Sequence, residues 1–331
     1  MTEALHHSGD VEGPTSGHAF AIPMRTRFRG TTTRHGLLVR GAAGWGEFSP
    51  FPEYPPRECS RWWAACWEAA EVGWPEPLRS RVPVNVTVPA VPPEQAARIV
   101  AQSGCATAKV KVAEPGQPEQ ADRERIAAVR EALGADGNIR VDANGAWDVD
   151  TAVRMLGVLD RYRLEYVEQP CATLEELAQV RRRVRVPVAA DESIRRAEDP
   201  LRVRAAGAAD IVVLKAQPLG GVRAALRVAE RCDLPVVVSS AVETSVGLAA
   251  GVALAAALPK LPYACGLGTL DLLETDVCAQ PLRVVAGHVE VRRPEVDRQL
   301  LAGVEVDPQE WLLRARQAAV AGGGDAVEDG R

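Results

Sequence analysis

Residues 105–114 read CATAKVKVAE and set Lys109 and Lys111 two positions apart. Of the 39 lysine and arginine side chains in the sequence, only four are lysine: Lys109, Lys111, Lys215 and Lys260. Arginine keeps its proton under ordinary conditions. A lysine amine, with a reference pKa of about 10.4, can be lowered by burial and nearby cations until it exchanges a proton near neutrality. A chain that prefers arginine yet keeps two lysines on one short segment therefore suggests proton transfer. Three carboxylates occur in comparable surroundings: Asp142 in IRVDAN, Glu168 in LEYVEQP and Asp191 in PVAADES. Gathered in a buried place, they would repel one another and raise one another's pKa unless a cation sat among them. An all-oxygen set without His or Cys suits Mg²⁺ or Mn²⁺ rather than Zn²⁺. A divalent metal is expected at Asp142, Glu168 and Asp191.

These residues need elements that bring them together. Eight short apolar, β-branched runs start about 23 to 32 residues apart: VPVNVTV (82–88), TAKVKVA (107–113), IRVDAN (139–144), LEYVEQP (164–170), PVAADES (187–193), DIVVLKAQ (210–217), PVVVSSAVE (235–243) and YACGLGT (263–269). That spacing fits a strand, a loop, a helix and a return loop. The segments between them support helices: PEQADRERIAAVREALG ends in a candidate Gly cap, and TLEELAQVRRRV opens on a Thr N-cap with Glu in its first turn. Eight such units predict a TIM-type parallel barrel, and no G-x-G-x-x-G follows the first strand to suggest a dinucleotide fold. In a barrel, residues at the C-terminal ends of the strands converge on one mouth. Lys109 and Lys111, at i and i+2, face the same way, here inward. Asp142, Glu168 and Asp191 end the next three strands and Lys215 the sixth.

Each residue also has an ordinary explanation. K-x-K is usually a solvated strand face, DANG an Asx turn, EQP a turn entry and DES a helix N-cap. Their alignment at one end of successive strands is what turn chemistry does not require. Lys260, in ALPKLPY, reads as a solvated loop residue.

The ends of the chain leave the repeat. Residues 1–81 contain HGLLVRGAAGWGEFSPF, two runs joined as in a β-hairpin, and a Trp-rich amphipathic helix, ECSRWWAACWEAAEVG. Residues 282–331 contain LRVVAGHVEV and a helical PQEWLLRARQAA. The expected organisation is a barrel over 82–281, with both ends forming one α+β capping domain flanked by disordered tails at about 1–18 and 321–331. The net charge of −5 and scattered arginines argue against nucleic acid as a partner. VGLAAGVALAAALP is too short and Ala-rich to span a membrane and reads as a buried helix. The first 20 residues lack the pattern of a signal peptide, and seven cysteines without C-x-x-C spacing suggest reduced, buried thiols. A cytoplasmic location follows as the expectation; a monomer is compatible with these features.

KVKV, VDANGAW, VEQP, AADES and VVLKAQPLGG, in this order at successive strand ends, resemble the muconate-lactonizing subgroup of the enolase superfamily. GWGEFSPFPEY resembles its capping domain, so the likeness spans nearly all of the chain outside the tails. It implies a (β/α)7β barrel. SSAVETSVGL (239–248) and GLGTLDLLETD (266–276) are similar to the seventh and eighth strand regions of the o-succinylbenzoate synthases. Those enzymes dehydrate 2-succinyl-6-hydroxy-2,4-cyclohexadiene-1-carboxylate (SHCHC) to o-succinylbenzoate in menaquinone biosynthesis. The resemblance implies Lys111 as base, Lys109 as support for the substrate carboxylate, and Asp142, Glu168 and Asp191 as metal ligands. It also implies Lys215 on the opposite face, where it and the metal stabilise an ene-diolate. Protonated Lys111 then assists the departing hydroxyl in a syn elimination. Asn144, Ser239 and Ser240 are candidate substrate contacts, with turn and loop hydrogen bonding as the equal alternative, and cap segments Phe20–Arg27 and Phe51–Tyr54 are candidate substrate-facing loops.

Other readings stay open. The same groups could racemise N-acylamino acids or epimerise dipeptides, with Lys111 and Lys215 exchanging a proton across opposite faces; cycloisomerisation is more distant. A Schiff-base aldolase using Lys215 leaves the carboxylates and K-x-K unexplained, and a binding-only barrel leaves the lysines unexplained.

Overall fold

The computed structural model describes residues 13–28, 30–195 and 200–323. Its cap is an antiparallel sheet of β1 (His18–Phe28), β2 (Thr31–Gly41) and β3 (Gly44–Phe48), joined later by β13 (Glu305–Val306) in the order β13-β1-β2-β3. The expected hairpin is β2–β3, with Gly41 paired to Gly44. Helix α1 (Pro56–Trp67) lies on this sheet and continues through a π turn over Glu68–Val72. Gly46 permits the approach: a Cβ there would fall 2.2 Å from the Cys66 carbonyl oxygen. Trp62 and Trp63, 1% and 3% exposed, turn the apolar face of α1 into a core with Phe48 and Phe51.

The barrel runs β4 (Arg81–Val88), α2 (Pro93–Ser103), β5 (Thr107–Lys111), α3 (Glu119–Leu133), β6 (Asn138–Asp142), α4 (Val149–Leu159), β7 (Leu164–Glu168), α5 (Leu174–Arg183) and β8 (Val188–Ala190). It continues with α6 (Glu192–Arg195), α7 (Arg202–Ala205), β9 (Ile211–Leu214), α8 (Val222–Cys232), β10 (Val236–Val238), α9 (Ser245–Ala257) and β11 (Cys265–Gly268). The strands pair in the order β10-β9-β8-β7-β6-β5-β4-β11, all parallel, and a Ser239–Gly266 bridge joins the ends. No α-helix follows β11 before the chain leaves the barrel, so the architecture is (β/α)7β, as expected. Local signals act as read: Thr173 and Glu176 form a capping box on α5, and Gly134, with φ of +72°, ends α3. Helix α9 is the apolar VGLAAGVALAAA segment, buried nearly throughout, so its composition records burial on all sides.

Three details differ from expectation. The segment Phe20–Arg27 is part of β1, and His18, inside the expected tail, already pairs with Leu38. Pro23 and a register irregularity between Pro23 and Phe28 interrupt the alternation that would have marked this strand. The segment after 281 does not go directly to the cap: β12 (His288–Glu290) first pairs antiparallel with β4, and α10 (Arg298–Ala302) precedes β13. Finally, α11 (Gln309–Gly323), which packs on α1, extends past the expected tail boundary at 321. Residues 1–12 and 324–331, the rest of the expected tails, lie outside the described residues.

Candidate active site

Strand register sets the site. Lys111 pairs with Asp142, and Asp142 pairs with Glu168, so three charged residues stand level across β5, β6 and β7. Asp191 follows β8 and Lys215 follows β9 by one residue each. All face inward: Asp142, Glu168 and Asp191 are at most 1% exposed, and Lys109, Lys111 and Lys215 are 6–8% exposed. The inward-facing K-x-K pair is thus buried, whereas Lys260 is exposed.

Each carboxylate meets an ammonium. Lys109 Nζ donates to both oxygens of Glu168 at 2.9 and 3.0 Å and lies 3.5 Å from Asp142. Lys111 Nζ donates to Asp142 Oδ2 and to Asn144 Oδ1, the latter at 2.6 Å. Lys215 Nζ donates to Asp191 Oδ2 at 2.7 Å, while Arg195 Nε donates to Asp191 Oδ1 at 3.1 Å. Arg195 also donates to the hydroxyl of Tyr54 in the cap, linking that loop to Asp191.

Burial opposes ionisation of Asp142, but Lys111 and Lys109 hold its carboxyl well below the usual range; Lys215 and Arg195 do the same for Asp191. Glu168 goes the other way: burial, then the neighbouring Asp142, push it up to about 7 against the pull of Lys109. Lys109 departs from the lowering that burial beside other cations leads one to expect. Burial does disfavour its charge, yet Glu168 and Asp142 outweigh this and raise it. Two carboxylates face the Lys109 ammonium, so this lysine holds its proton. Lys215 is lowered, as expected, by burial and, secondarily, by Arg195, against the pull of Asp191.

The side chains lie under a small cavity walled by Phe28 and Phe51 from the cap and by Thr87, Ser239, Ser240, Ala241, Val242, Gly266 and Thr269 from the barrel. Phe51 lies in an expected substrate-facing segment. The other segment, Phe20–Arg27, contributes nothing to this cavity; Phe28, one residue beyond it, does. Phe28 also stacks under the ammonium of Lys111, 5.0 Å from its ring centre.

The candidate substrate contacts separate. Asn144 accepts from Lys111 and donates to Glu192, so it orients the lysine. Ser240 Oγ donates to Glu243 and accepts from Val242 N and Thr269 Oγ1, which fills the capacity of one hydroxyl. Ser239 Oγ makes only a long 3.4 Å bond to Gly266 O and keeps acceptor capacity at the cavity. Phe28 and Val242 carry no sequence signal of their own, whereas Arg195 sits four residues after Asp191, a spacing that could have flagged it.

Among the described residues, no three His, Cys, Asp or Glu side chains stand close enough to hold a metal as arranged, because each carboxylate is turned to a lysine or arginine. The donor set still fits one: three buried oxygen ligands at adjacent strand ends, with Glu168 raised by burial and then by Asp142, are what a hard divalent cation would relieve.

Comparisons with known proteins give the family and the fold. Residues 93–308 match the family model for an enolase C-terminal domain-like fold, and residues 19–70 match the enolase N-terminal domain-like model. The chain is 73% identical over 306 residues to an o-succinylbenzoate synthase of Thermobifida fusca, covering 92% of this chain and 96% of that protein. It is 52% identical over 301 residues to an o-succinylbenzoate synthase of Mycobacterium marinum, covering 89% and 90%. In fold it is similar to the muconate lactonizing enzyme of Pseudomonas putida (TM-score 0.73, 19% identity, 89% and 99% coverage) and to a dipeptide epimerase of Enterococcus faecalis V583 (0.68, 23%, 85% and 96%). The chain belongs to the o-succinylbenzoate synthase family of the enolase superfamily.

Proposed function

We propose that this protein dehydrates SHCHC to o-succinylbenzoate, the hydro-lyase step of menaquinone biosynthesis that the family name implies. The observation that carries the reading is the placement of Lys111 on β5 and Lys215 after β9 on either side of three buried carboxylates. Charge supports it as well: Lys109, Lys215 and a divalent cation at the carboxylates would together draw an anionic substrate into the mouth, and SHCHC carries a ring and a succinyl carboxylate.

Asp142, Glu168 and Asp191 would hold the cation, Mg²⁺ or Mn²⁺. When bound, it supplies positive charge that makes the proton beside a carboxylate more acidic. Lys111, as the free amine, takes the ring proton next to that carboxylate, oriented by Asn144. Lys215, as the ammonium, offsets negative charge growing on the carboxylate from the other side. Lys109 keeps its proton and fixes Glu168. As the ring C–O bond breaks, Lys111 returns its proton to the departing oxygen, so water leaves and the ring becomes aromatic. Base and acid are one amine, which makes the elimination syn. Phe28 and Phe51 cover the ring, and Ser239 is the hydroxyl with capacity for a substrate oxygen. Ser240 instead keeps the loop in shape. No helix among the described residues is long and apolar enough to cross a membrane, in keeping with a cytoplasmic enzyme acting on a small molecule; a monomer carries all of these groups.

The test follows both reactions open to these lysines on one preparation. SHCHC dehydration is measured by absorbance, and α-hydrogen exchange of an N-succinylamino acid in D₂O is measured by NMR. Dehydration is expected to dominate. Rapid exchange without dehydration would assign the site to racemisation, and borohydride trapping of substrate on Lys215 would assign it to Schiff-base chemistry.

A further inference from the structure

One side chain outside the cavity touches both walls that must close on a substrate. Arg34 stands on β2 of the cap and is 2% exposed. Its Nε donates to the carbonyl of Val242 at 2.9 Å, its Nη2 donates to the carbonyl of Ser49, and its guanidinium lies 4.5 Å from the ring centre of Phe51. Val242 belongs to the barrel loop after β10 and Phe51 to the cap, and both line the cavity.

Val242 has φ of +64°. Glycine enters this region freely, but a β-branched side chain crowds its own backbone there, and the conformation persists only where the surroundings hold it. Part of the hold is local: Val242 N donates to Ser240 Oγ at 2.8 Å, and Ala241 N donates to Glu243 at 2.8 Å. The carbonyl of Val242 is held from the other domain by Arg34. The guanidinium lies over the ring of Phe51 and donates to the Val242 carbonyl, so one rigid planar group touches both walls.

We infer that Arg34 is a positioning residue that fixes Phe51 and Val242 relative to each other and so shapes the cavity wall against which the substrate ring seats. This rests on the dehydration reading of the site. None of these bonds reaches the lysines or the carboxylates of the mouth, so the loss of Arg34 should act on substrate fit rather than on proton transfer.

Arg34→Lys keeps the charge and loses the planar fork. It is expected to raise KM for SHCHC about tenfold, on the order of one charge-assisted hydrogen bond, with kcat within about threefold. Val242→Gly adopts the positive φ without strain. In the double variant, the KM rise should fall short of the product of the two single effects. An unchanged KM in Arg34→Lys, a fall in kcat alone, or multiplicative effects in the double variant would overturn the inference. Should Arg34→Lys be too unstable to assay, Phe51→Leu and Val242→Gly carry the same test, because walls coupled through Arg34 give non-multiplicative effects and independent walls do not. Lys111→Ala separates this inference from the reading beneath it. Dehydration surviving in Lys111→Ala sinks the site assignment, whereas the wall coupling can still be read as the Kd for o-succinylbenzoate by calorimetry.

Discussion

Two buried glutamates, one in the barrel mouth and one at the seam between cap and barrel, are both pushed up to about 7. In the mouth, Glu168 is raised by burial and by its neighbour Asp142, and it is held by the ammonium of Lys109. At the seam, Glu47 of β3 is raised by burial and held by neutral donors: Ser49 Oγ at 2.6 Å, Thr244 Oγ1 at 2.5 Å, and the N–H groups of Thr244 and Gly247 at 3.2 and 3.0 Å. Thr244 is the N-cap of α9, so this carboxylate docks the cap onto a helix N-terminus. Glu68, after α1, also docks on a helix N-terminus, accepting from Val222 N at 2.6 Å and Arg223 N at 3.2 Å of α8, and adds an ion pair to the Arg223 guanidinium at 2.9 Å. Charge is matched by charge where protons must move. Where two domains must stay joined, hydroxyls and helix N-termini meet it, with the Arg223 guanidinium added at Glu68.

The comparison breaks first at Lys111. Lys111→Ala is expected to cut kcat/KM for dehydration by at least about 10³-fold, in the range of a lost general acid–base, with circular dichroism unchanged. Full activity there would remove proton transfer from the mouth. Next in size, dialysis against EDTA should abolish turnover and Mg²⁺ restore it, while Asp191→Asn should weaken Mn²⁺ binding, read by EPR, about 10- to 100-fold; metal-independent activity would leave the three carboxylates unexplained.

The seam gives smaller effects, on stability. Glu47 binds its proton more tightly folded, at about 7, than at its ordinary 4.5, so between these values the folded state carries the extra proton. Stability should therefore be highest below about pH 4.5 as far as this group is concerned, fall as pH rises to about 7, and level off above, a span of a few kcal/mol at most. Glu47→Gln should flatten that slope in urea titrations at several pH values, and an unchanged slope would place the titration elsewhere. The smallest expected effect is that of Glu68→Ala, which should lower stability by about 1 kcal/mol and leave kcat and KM alone, since it uncaps α8 and touches none of the lysines or carboxylates of the mouth. A change in KM would mean that the two regions are not separable.

The mouth is legible in the sequence because strand alternation and the βα repeat are enough to place Lys111, Asp142 and Glu168 level with one another. The seam is not. Glu47 finds Thr244 across 197 residues, and Arg34 finds Val242 across 208, so nothing local distinguishes either from an exposed charge on a strand. Strand β1 is hidden by Pro23 and its broken register, and the role of Ser240 depends on Thr269, just after β11. Phe28 falls one residue outside the expected substrate-facing segment because a strand with interrupted alternation reads like a loop.

The barrel ends meet through one bridge between Ser239 and Gly266, supported by Ser240 N donating to Gly266 O at 3.0 Å. These residues also wall the cavity. The thinnest seam in the hoop therefore coincides with the substrate's berth, and a molecule seated there becomes a temporary stave. Amide exchange at Ser240 should be quick in the empty enzyme and slow when o-succinylbenzoate is bound, so that occupancy itself tightens the cylinder.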